Sequence, residues 1–367
     1  MTDEYYMKAA LEEAVKGSGR VSPNPLVGAV IVKNGRIIAK GYHHRCGDLH
    51  AERDALKNCN ENTNGATMYV TLEPCCHTGR QPPCTQAIIN SGITRVVIGS
   101  GDPNPLVAGK GAGILREHGI QVDEYVLEDE CKRINEVFFH YITTGRPFVI
   151  MKYAMTADGK IATKTGLSKW ITGEKARENV HYDRNRYTAI MVGSGTVLAD
   201  DPELTCRISG GRDPVRIICD THLKTPLSSR IVKSADKIRT IICTCETNDD
   251  LCRKYISAGC EIVTLPEKDG HTDTDEMMSA LGKLEIDSII LEGGGTLNWS
   301  VLKAGYVSKV QTYIAPKIFG GSAKTPVEGM GIDSPAEAFE LYDPVILRLG
   351  NDIMIESRVK NHVHGNS

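Results

Sequence analysis

The 367-residue chain lacks a surplus of charge: 43 Lys and Arg stand against 46 Asp and Glu, a formal net charge of −3. Binders of nucleic acid or of an anionic membrane surface carry a basic excess or a basic tract, and none is present. Long apolar runs are also missing, since nothing approaches the ~18 residues that a membrane-crossing helix needs. The opening residues MTDEYYMKAA have neither the basic start nor the apolar stretch of a secretory signal, so a cytoplasmic setting is expected. Aromatic residues are scarce at 5%, whereas glycine is plentiful at 36. That balance suits an α/β enzyme with many tight turns and argues against a repeat or low-complexity chain.

The length suggests about two domains, each able to bury its own core. Helix is expected at Asp3–Val15, and strands at 26–33 and 36–42 flank Asn34-Gly35, a strong hairpin signal. Helices from about His50 to Cys59, Cys84 to Ser91 and Gly111 to Gly119 alternate with strands at 67–71 and 94–99. Such alternation implies a sheet covered on both faces. A helix over Glu128–Tyr141 then leads to Thr143-Thr144-Gly145-Arg146-Pro147, which divides the chain into domains 1–145 and 146–367. The second part repeats the rhythm, with strands at 148–154, 189–192, 214–219, 240–243, 288–291, 309–314 and 352–359. Helices are expected between them at 174–185, 249–258 and 274–284, and the polar end 361–367 is expected to fray. No internal repeat links the halves.

The chain has twelve cysteines, and in a cytosolic protein clustered cysteines more often bind metal or do chemistry than form disulfides. Most are scattered, but Cys75, Cys76 and Cys84 are close, in Glu73-Pro74-Cys75-Cys76-His77 and Pro82-Pro83-Cys84. With His50 of His50-Ala51-Glu52 they offer one imidazole and two thiolates to Zn²⁺, leaving a fourth position for water. Positions two apart on a helix point about 200° apart, so His50 and Glu52 converge only if His50 opens the helix. Pro82-Pro83 likewise puts Cys84 in a first turn, where the dipole favours a thiolate. Zinc lowers the pKa of a bound water to about 7, and Glu52 is the general acid/base that moves its proton. The competing reading is a closed site with His77 or Cys76 as fourth ligand, which leaves Glu52 without a role. Nucleobase deaminases share the His-x-Glu…Pro-Cys order but use Cys-x-x-Cys, whereas eight residues separate Cys75 from Cys84 here.

That spacing belongs to an ordered set. Pro23-Asn24-Pro25-x-Val27-Gly28-Ala29-Val30, Gly41-Tyr42-His43 and His50-Ala51-Glu52 precede the cysteine segment with Gly79 and Arg80. Asp102-Pro103-Asn104-Pro105 with Gly109-x-Gly111 follows it. Together they resemble the deaminase domain of the bifunctional riboflavin-biosynthesis deaminase–reductase family. The resemblance implies a cytidine-deaminase-like α/β/α domain acting on a diamino-hydroxy-phosphoribosylamino-pyrimidine, with His50, Cys75 and Cys84 on zinc. It places Asn24, His43 and His77 near the pyrimidine, although Asn24 also serves to shape a Pro-Asn-Pro turn.

Residue types alone say less about the second half. Val192-Gly193-Ser194-Gly195-Thr196 and Ile290-Leu291-Glu292-Gly293-Gly294-Gly295 read as strand, glycine turn and helix start, a way to bring backbone N–H groups to phosphate. Neither is a full dinucleotide fingerprint. Lys152-x-Ala154-x-x-x-Asp158-Gly159, Ser168-x-Trp170, Arg184, Asp200-Asp201-Pro202-x-Leu204-Thr205-x-Arg207 and Glu292-Gly293-Gly294 resemble, in order, the reductase domain of the same family. That implies a dihydrofolate-reductase-like α/β domain using NADPH. By the resemblance Ala154, Trp170, Thr196, Asp200 and Gly294, Gly295, Thr296, Leu297, Asn298, Trp299 and Ser300 fall at cofactor positions. Ser168, Arg184, Leu204, Arg207 and Glu292 fall at substrate positions, with Arg184 and Arg207 suited to a ribose 5-phosphate. Lys152 and Asp200 are the candidates for proton handling or imine polarisation. Without the resemblance, Arg184 reads as a solvated helix face and Trp170 as a core aromatic.

The implied function is zinc-dependent deamination of the pyrimidine followed by NADPH-dependent reduction of its ribosyl group to ribityl. The alternative is a zinc deaminase for another nucleobase or nucleoside, joined to a non-catalytic nucleotide-binding domain. Partners are expected to be small nucleotides and not nucleic acid or membrane, with a dimer or tetramer formed through the reductase half.

Overall fold

A computed structural model describes residues 1–77, 82–104 and 107–360 of the chain. Gly79, Arg80 and Pro105 of the motifs, and the end 361–367, lie outside the described residues. Chain contacts divide the molecule into two units, Met1–Thr143 and Thr144–Ser367.

In the first unit the elements run α1 (Asp3–Ala14), β1 (Gly28–Lys33), β2 (Arg36–Tyr42), α2 (Ala51–Lys57), β3 (Thr67–Leu72), α3 (Cys84–Asn90), β4 (Arg95–Ser100), α4 (Lys110–Glu117), β5 (Gln121–Asp123), α5 (Glu128–Ile134) and α6 (Glu136–Thr144). The sheet order is β2-β1-β3-β4-β5. The β1–β2 and β1–β3 pairs are antiparallel, and β3, β4 and β5 run parallel. The two-residue period of the strands sorts their side chains. Ala29, Ile31, Met68 and Val70 face Ala51, Ala55, Ile88, Ala112 and Leu115 of α2, α3 and α4. Val30, Val32, Tyr69 and Val97 face Tyr6, Met7, Ala10 and Cys131 of α1 and α5. The result is the α/β/α sandwich expected from the alternating pattern.

The expected helix over 128–141 is instead two helices. It breaks at Asn135, whose amide clamps a distant loop: its Oδ1 accepts from Leu26 N at 2.7 Å and its Nδ2 donates to Leu26 O at 2.8 Å.

The second unit comprises β6 (Phe148–Thr156), α7 (Glu174–Arg186), β7 (Ala189–Gly193), α8 (Ser194–Asp200), β8 (Val215–Cys219), α9 (Arg230–Lys233), β9 (Thr240–Thr244), α10 (Asp249–Ser257), β10 (Glu261–Thr264), a short hairpin β11 (Glu267–Lys268) and β12 (His271–Thr272), α11 (Thr274–Lys283), β13 (Ser288–Leu291), α12 (Gly295–Lys303), β14 (Val307–Ala315), β15 (Leu341–Leu349) and β16 (Asp352–Val359). Nine strands form one sheet in the order β10-β9-β8-β7-β13-β6-β14-β16-β15. From β10 to β14 all pairs are parallel, so the short apolar runs of the sequence are strands buried on both faces. Met151, Met191, Ile217, Ile241 and Leu291 pack under Met277, Leu281 and Val301, while Ile190, Val192, Ile218 and Ile242 meet Val197, Ile231 and Tyr255 on the other face.

Strand β15 was not expected, because Pro344 interrupts its apolar pattern. The sheet accommodates the proline at an edge, where the register with β16 shifts between Tyr342 and Val345 and Asp343 takes φ 52°. Its Leu341, Tyr342, Val345, Ile346 and Leu347 are exposed. Among the described residues, no helix is long and apolar enough to cross a membrane.

One packing contact sets the first site. A Cβ on Gly41 would lie 2.2 Å from Ala55 N and 2.7 Å from Ala51 O, so only glycine lets α2 lie this close to β2. Gly41→Ala is therefore expected to cost about 2 kcal/mol through backbone displacement and to weaken zinc retention, because α2 carries His50 at its start. Denaturant unfolding with metal analysis checks this, and an unchanged midpoint would contradict the packing.

Candidate active sites

His50 is the N-cap of α2 and Glu52 lies in its first turn, the arrangement that their spacing requires. Cys84 opens α3 behind Pro83. Cys75 is tied to that helix start, since Thr85 N donates to Cys75 O at 3.2 Å and Cys84 N to Cys75 Sγ at 3.4 Å. The loop carrying Cys75 is anchored from its other side by Glu73. The buried Glu73 carboxylate accepts from Gly109 N at 2.9 Å and Ala112 N at 3.1 Å, capping α4. A Cβ on Gly111 would meet Pro74 O at 2.2 Å. The motif residues Glu73, Pro74, Gly109 and Gly111 thus form one brace behind the cysteines.

His50 Nδ1, Cys75 Sγ and Cys84 Sγ lie within 4.8 Å of one another. The imidazole is 3.5 Å from Cys75 Sγ and 3.4 Å from Cys84 Sγ. Tetrahedral zinc with ordinary Zn–S and Zn–N bonds sets such N···S edges at about 3.6 Å, so the three donors fit that ion. Hydrogen bonding from Cys84 outweighs burial and, with His50, holds the Cys75 thiol down at about 4, whereas Cys84, bonded to Cys75 and buried, is pushed up. Burial, helped by the neighbouring Cys75 charge, raises the Glu52 carboxyl to about 7, the range useful for proton transfer near neutrality.

Asn24 Nδ2 donates to His43 Nε2 at 3.2 Å, and His43 Nδ1 donates to Leu49 O at 3.0 Å. Those bonds describe a neutral imidazole, and burial lowers its pKa. The His43 ring meets His50 edge-on with centroids 5.5 Å apart. His77 is exposed.

In the second unit the expected residues gather at the carboxyl ends of β6, β13 and β7. One cleft of about 440 Å³ is lined by Lys152, Ala154, Ser168, Trp170, Arg184, Thr196, Asp200, Leu204, Arg207 and Glu292. A second of about 460 Å³ takes in Ser168, Thr196 and Asp200 again and adds Gly294, Gly295, Thr296, Leu297 and Ser300. The shared residues make them one continuous crevice. A Cβ on Gly195 would meet nothing within 4 Å, and those on Gly193 and Gly294 nothing nearer than 3.9 Å. These backbones therefore lie open to a diphosphate at the starts of α8 and α12, and the crevice fits a dinucleotide. Asn298 and Trp299 stand apart from it: Asn298 is buried with Nδ2 donating to Pro326 O, and Trp299 packs on Gly329 and Phe339. Trp170 is 62% exposed, not a core aromatic, with the Arg177 guanidinium 4.7 Å from its ring centre.

Arg184 is not a solvated helix residue either. Its Nε and Nη2 bind both oxygens of Glu292 at 3.1 and 3.0 Å, and Nη1 donates to Thr205 O at 3.0 Å. The structure thus gives Arg184 a carboxylate as its first partner, where the sequence suggested a phosphate; the half-exposed Arg207 also has one, with Nη2 3.5 Å from Glu203 Oε2. Lys152 Nζ sits 3.5 Å from Glu292 Oε2 and 5.5 Å from the centre of the Tyr313 ring. Burial alone would raise the Glu292 carboxyl, but Arg184 and Lys152 overcome it and hold it at about 2. Ser168 Oγ donates to Asp200 Oδ1 at 3.3 Å, with Lys169 Nζ 3.9 Å from the same oxygen.

Sequence reading missed Glu73, Tyr313 and Arg177, and in the cofactor half Thr221, His271, Thr272, Thr274, Lys324 and Glu328. For His271 a signal existed: Asp269-Gly270 is a hairpin dipeptide between β11 and β12.

The two sites define a zinc-binding deaminase-type domain followed by a reductase-type domain. Residues 1–100 match the cytidine and deoxycytidylate deaminase zinc-binding region, and residues 147–355 match the RibD C-terminal domain. The riboflavin biosynthesis protein RibD of Actinobacillus pleuropneumoniae is 50% identical over 97% of this chain and 95% of its own length. That of Aquifex aeolicus is 44% identical over 96% and 97%. Among solved structures, a diaminohydroxyphosphoribosylaminopyrimidine deaminase/5-amino-6-(5-phosphoribosylamino)uracil reductase from Thermotoga maritima superposes with a TM-score of 0.86 at 41% identity, covering 98% of this chain and 99% of that one. Acinetobacter baumannii RibD gives 0.88 at 33% identity with the same coverage. The chain belongs to the RibD family of bifunctional riboflavin-biosynthesis proteins.

The Arg184–Glu292 pair allows a pH test. The folded carboxyl titrates near 2 and the unfolded one near 4.5, so the contribution is complete above 4.5 and lost as pH falls through 2. Arg184→Met is expected to destabilise the protein by about 3 kcal/mol at neutral pH, with the deficit shrinking below 4.5. Denaturant melts at several pH values read this directly; a pH-independent deficit would count against the ion pair.

Proposed function

We propose that the two sites of this bifunctional riboflavin-biosynthesis enzyme perform consecutive steps with zinc and NADPH. The first site deaminates a diaminohydroxyphosphoribosylaminopyrimidine, and the second reduces the 5-amino-6-(5-phosphoribosylamino)uracil so formed. The observation that carries the reading is the buried Glu52 beside the triangle of His50, Cys75 and Cys84. His50, Cys75 and Cys84 hold the zinc, which would supply a polarising charge that makes water nucleophilic near neutral pH. Glu52 takes the proton from the attacking water and delivers it to the departing amino group, so that water adds to the ring carbon and ammonia leaves. The neutral His43 holds the amide of Asn24, whose oxygen remains to accept from a pyrimidine N–H.

In the second site the glycine-turn backbones of Gly193, Gly195 and Gly294 hold the cofactor diphosphate, and Trp170 and Ala154 border its reactive end; Gly295 is covered by the Glu328 side chain. NADPH would supply the hydride. Sugar-ring opening moves the N–H proton to the ring oxygen and makes C1′ an imine; the hydride adds to C1′, and a proton returns to nitrogen. Lys152, held by Glu292 over Tyr313, is the group that gives this proton. Asp200 with Ser168 orients the sugar hydroxyls, and Arg207 meets the 5-phosphate. A Glu52→Gln and a Lys152→Ala variant separate the sites. The first should keep zinc and reduction but lose ammonia release by about 10³-fold, and the second should spare deamination and slow NADPH oxidation by about 10²-fold. With each step assayed on its own substrate, loss of both activities in either variant would refute the division.

The exposed apolar edge strand β15 supports self-association through the reductase half, since an unpaired edge with apolar side chains is a template for another strand. Ile346→Lys is expected to yield monomers in analytical ultracentrifugation; an unchanged sedimentation coefficient would remove β15 from the interface.

A further inference from the structure

The cofactor crevice crosses the sheet. Lys152 and Ala154 of β6 line one end, the turns after β13 and β7 the middle, and Cys219 and Thr221 after β8 the other end. A dinucleotide with its reactive ring beside Lys152 and its diphosphate over Gly294 therefore sets its adenosine half against Thr221. Over that end lie His271 and Thr272 of the β11–β12 hairpin and Thr274 and Met277 of α11. The hairpin is a defined support for them. Asp269 and Gly270 take φ 53° and 77°, as a two-residue turn of this kind requires, and Lys268 pairs with His271. Leu265 N donates to Thr244 O and Asp273 N to Pro266 O, tying the hairpin to β9 and α11.

The charges at this end are sorted unequally. His271 and Lys324 are the basic side chains among the described residues lining the cofactor half of the crevice. Lys324 lines the crevice beside Ile161, whose N–H donates to the Lys324 carbonyl at 3.0 Å. Two acids at the start of α11 are engaged, whereas Glu267 and Asp269 of the hairpin itself are exposed. Asp273 caps α11 through Asp275 N and Glu276 N, Asp275 accepts from Tyr306 OH, and Lys268 Nζ lies within 3.7 Å of both carboxylates. Among the described residues, none hydrogen-bonds the exposed His271 ring.

We propose that His271 is the specificity residue for the phosphate on the adenosine ribose, the group that distinguishes NADPH from NADH. The hydroxyls of Thr221 and Thr274 complete its polar surroundings. This assignment rests on the cofactor reading above, and binding calorimetry on the zinc-loaded, full-length protein without substrate separates the two. Wild type should bind NADPH more tightly than NADH, and adenosine 2′,5′-bisphosphate more tightly than AMP. His271→Ala should weaken NADPH and the bisphosphate about tenfold, the loss of one hydrogen bond to a charged group, while NADH changes less than about twofold. His271→Lys should keep the NADPH preference. An unchanged NADPH-to-NADH ratio in His271→Ala, or equal weakening of both, overturns the assignment while leaving the cofactor reading intact. Failure of the wild type to bind NADPH overturns that reading itself.

Discussion

The start of a helix leaves backbone N–H groups without partners, and both sites are built at helix starts whose N-cap residues supply no side-chain cap. His50 and Pro83 stand as N-caps of α2 and α3, and Gly193 and Gly294 as N-caps of α8 and α12, all without a side-chain cap. Thr2, Asn248 and Asp273 cap their own helices, while the N-caps of α5 and α7, Leu127 and Gly173, give no side-chain cap either. Glu73 and Asp201 reach across to α4 and α9. The open starts favour thiolate in the first unit and diphosphate in the second through the same partial positive charge. This explains how a nearly neutral chain handles anionic ligands with few committed basic residues.

Those few are arranged to hold other groups. Arg184 and Lys152 keep Glu292 ionised in a buried position, and Glu292 in return keeps both cations near the crevice. In the first unit the hydrogen bond between Cys84 and Cys75 holds the Cys75 thiol down and pushes the Cys84 thiol up. The supporting contacts are neutral and close, as at Gly41 and Gly111, where helices or loops approach to the limit that backbone atoms allow.

How much of this was legible in the sequence followed from how local the cause was. Buried strands appear as short apolar runs, and the zinc donors are recognisable because few residue types can serve. The position of His50 and Glu52 follows from helical geometry alone. The break at Asn135 was hidden because its partner, Leu26, lies 109 positions away. Arg184 read as solvated or phosphate-binding because Glu292 is 108 residues distant. Strand β15 was obscured by Pro344, which only an edge tolerates. Asn298 and Trp299 sit in a motif whose helix turns them away from the crevice. Pattern reveals what a residue can do; its partners decide what it does.

The two tryptophans of the chain, Trp170 and Trp299, both belong to the second unit, one open to solvent at the crevice and the other packed on Gly329 and Phe339. The deaminase unit is consequently dark in indole emission, with tyrosines as its only comparable chromophores. Light absorbed and re-emitted at indole wavelengths reports on the reductase unit alone. The two halves can thus be followed independently in the intact chain, without a label, by optical means for one and metal analysis for the other.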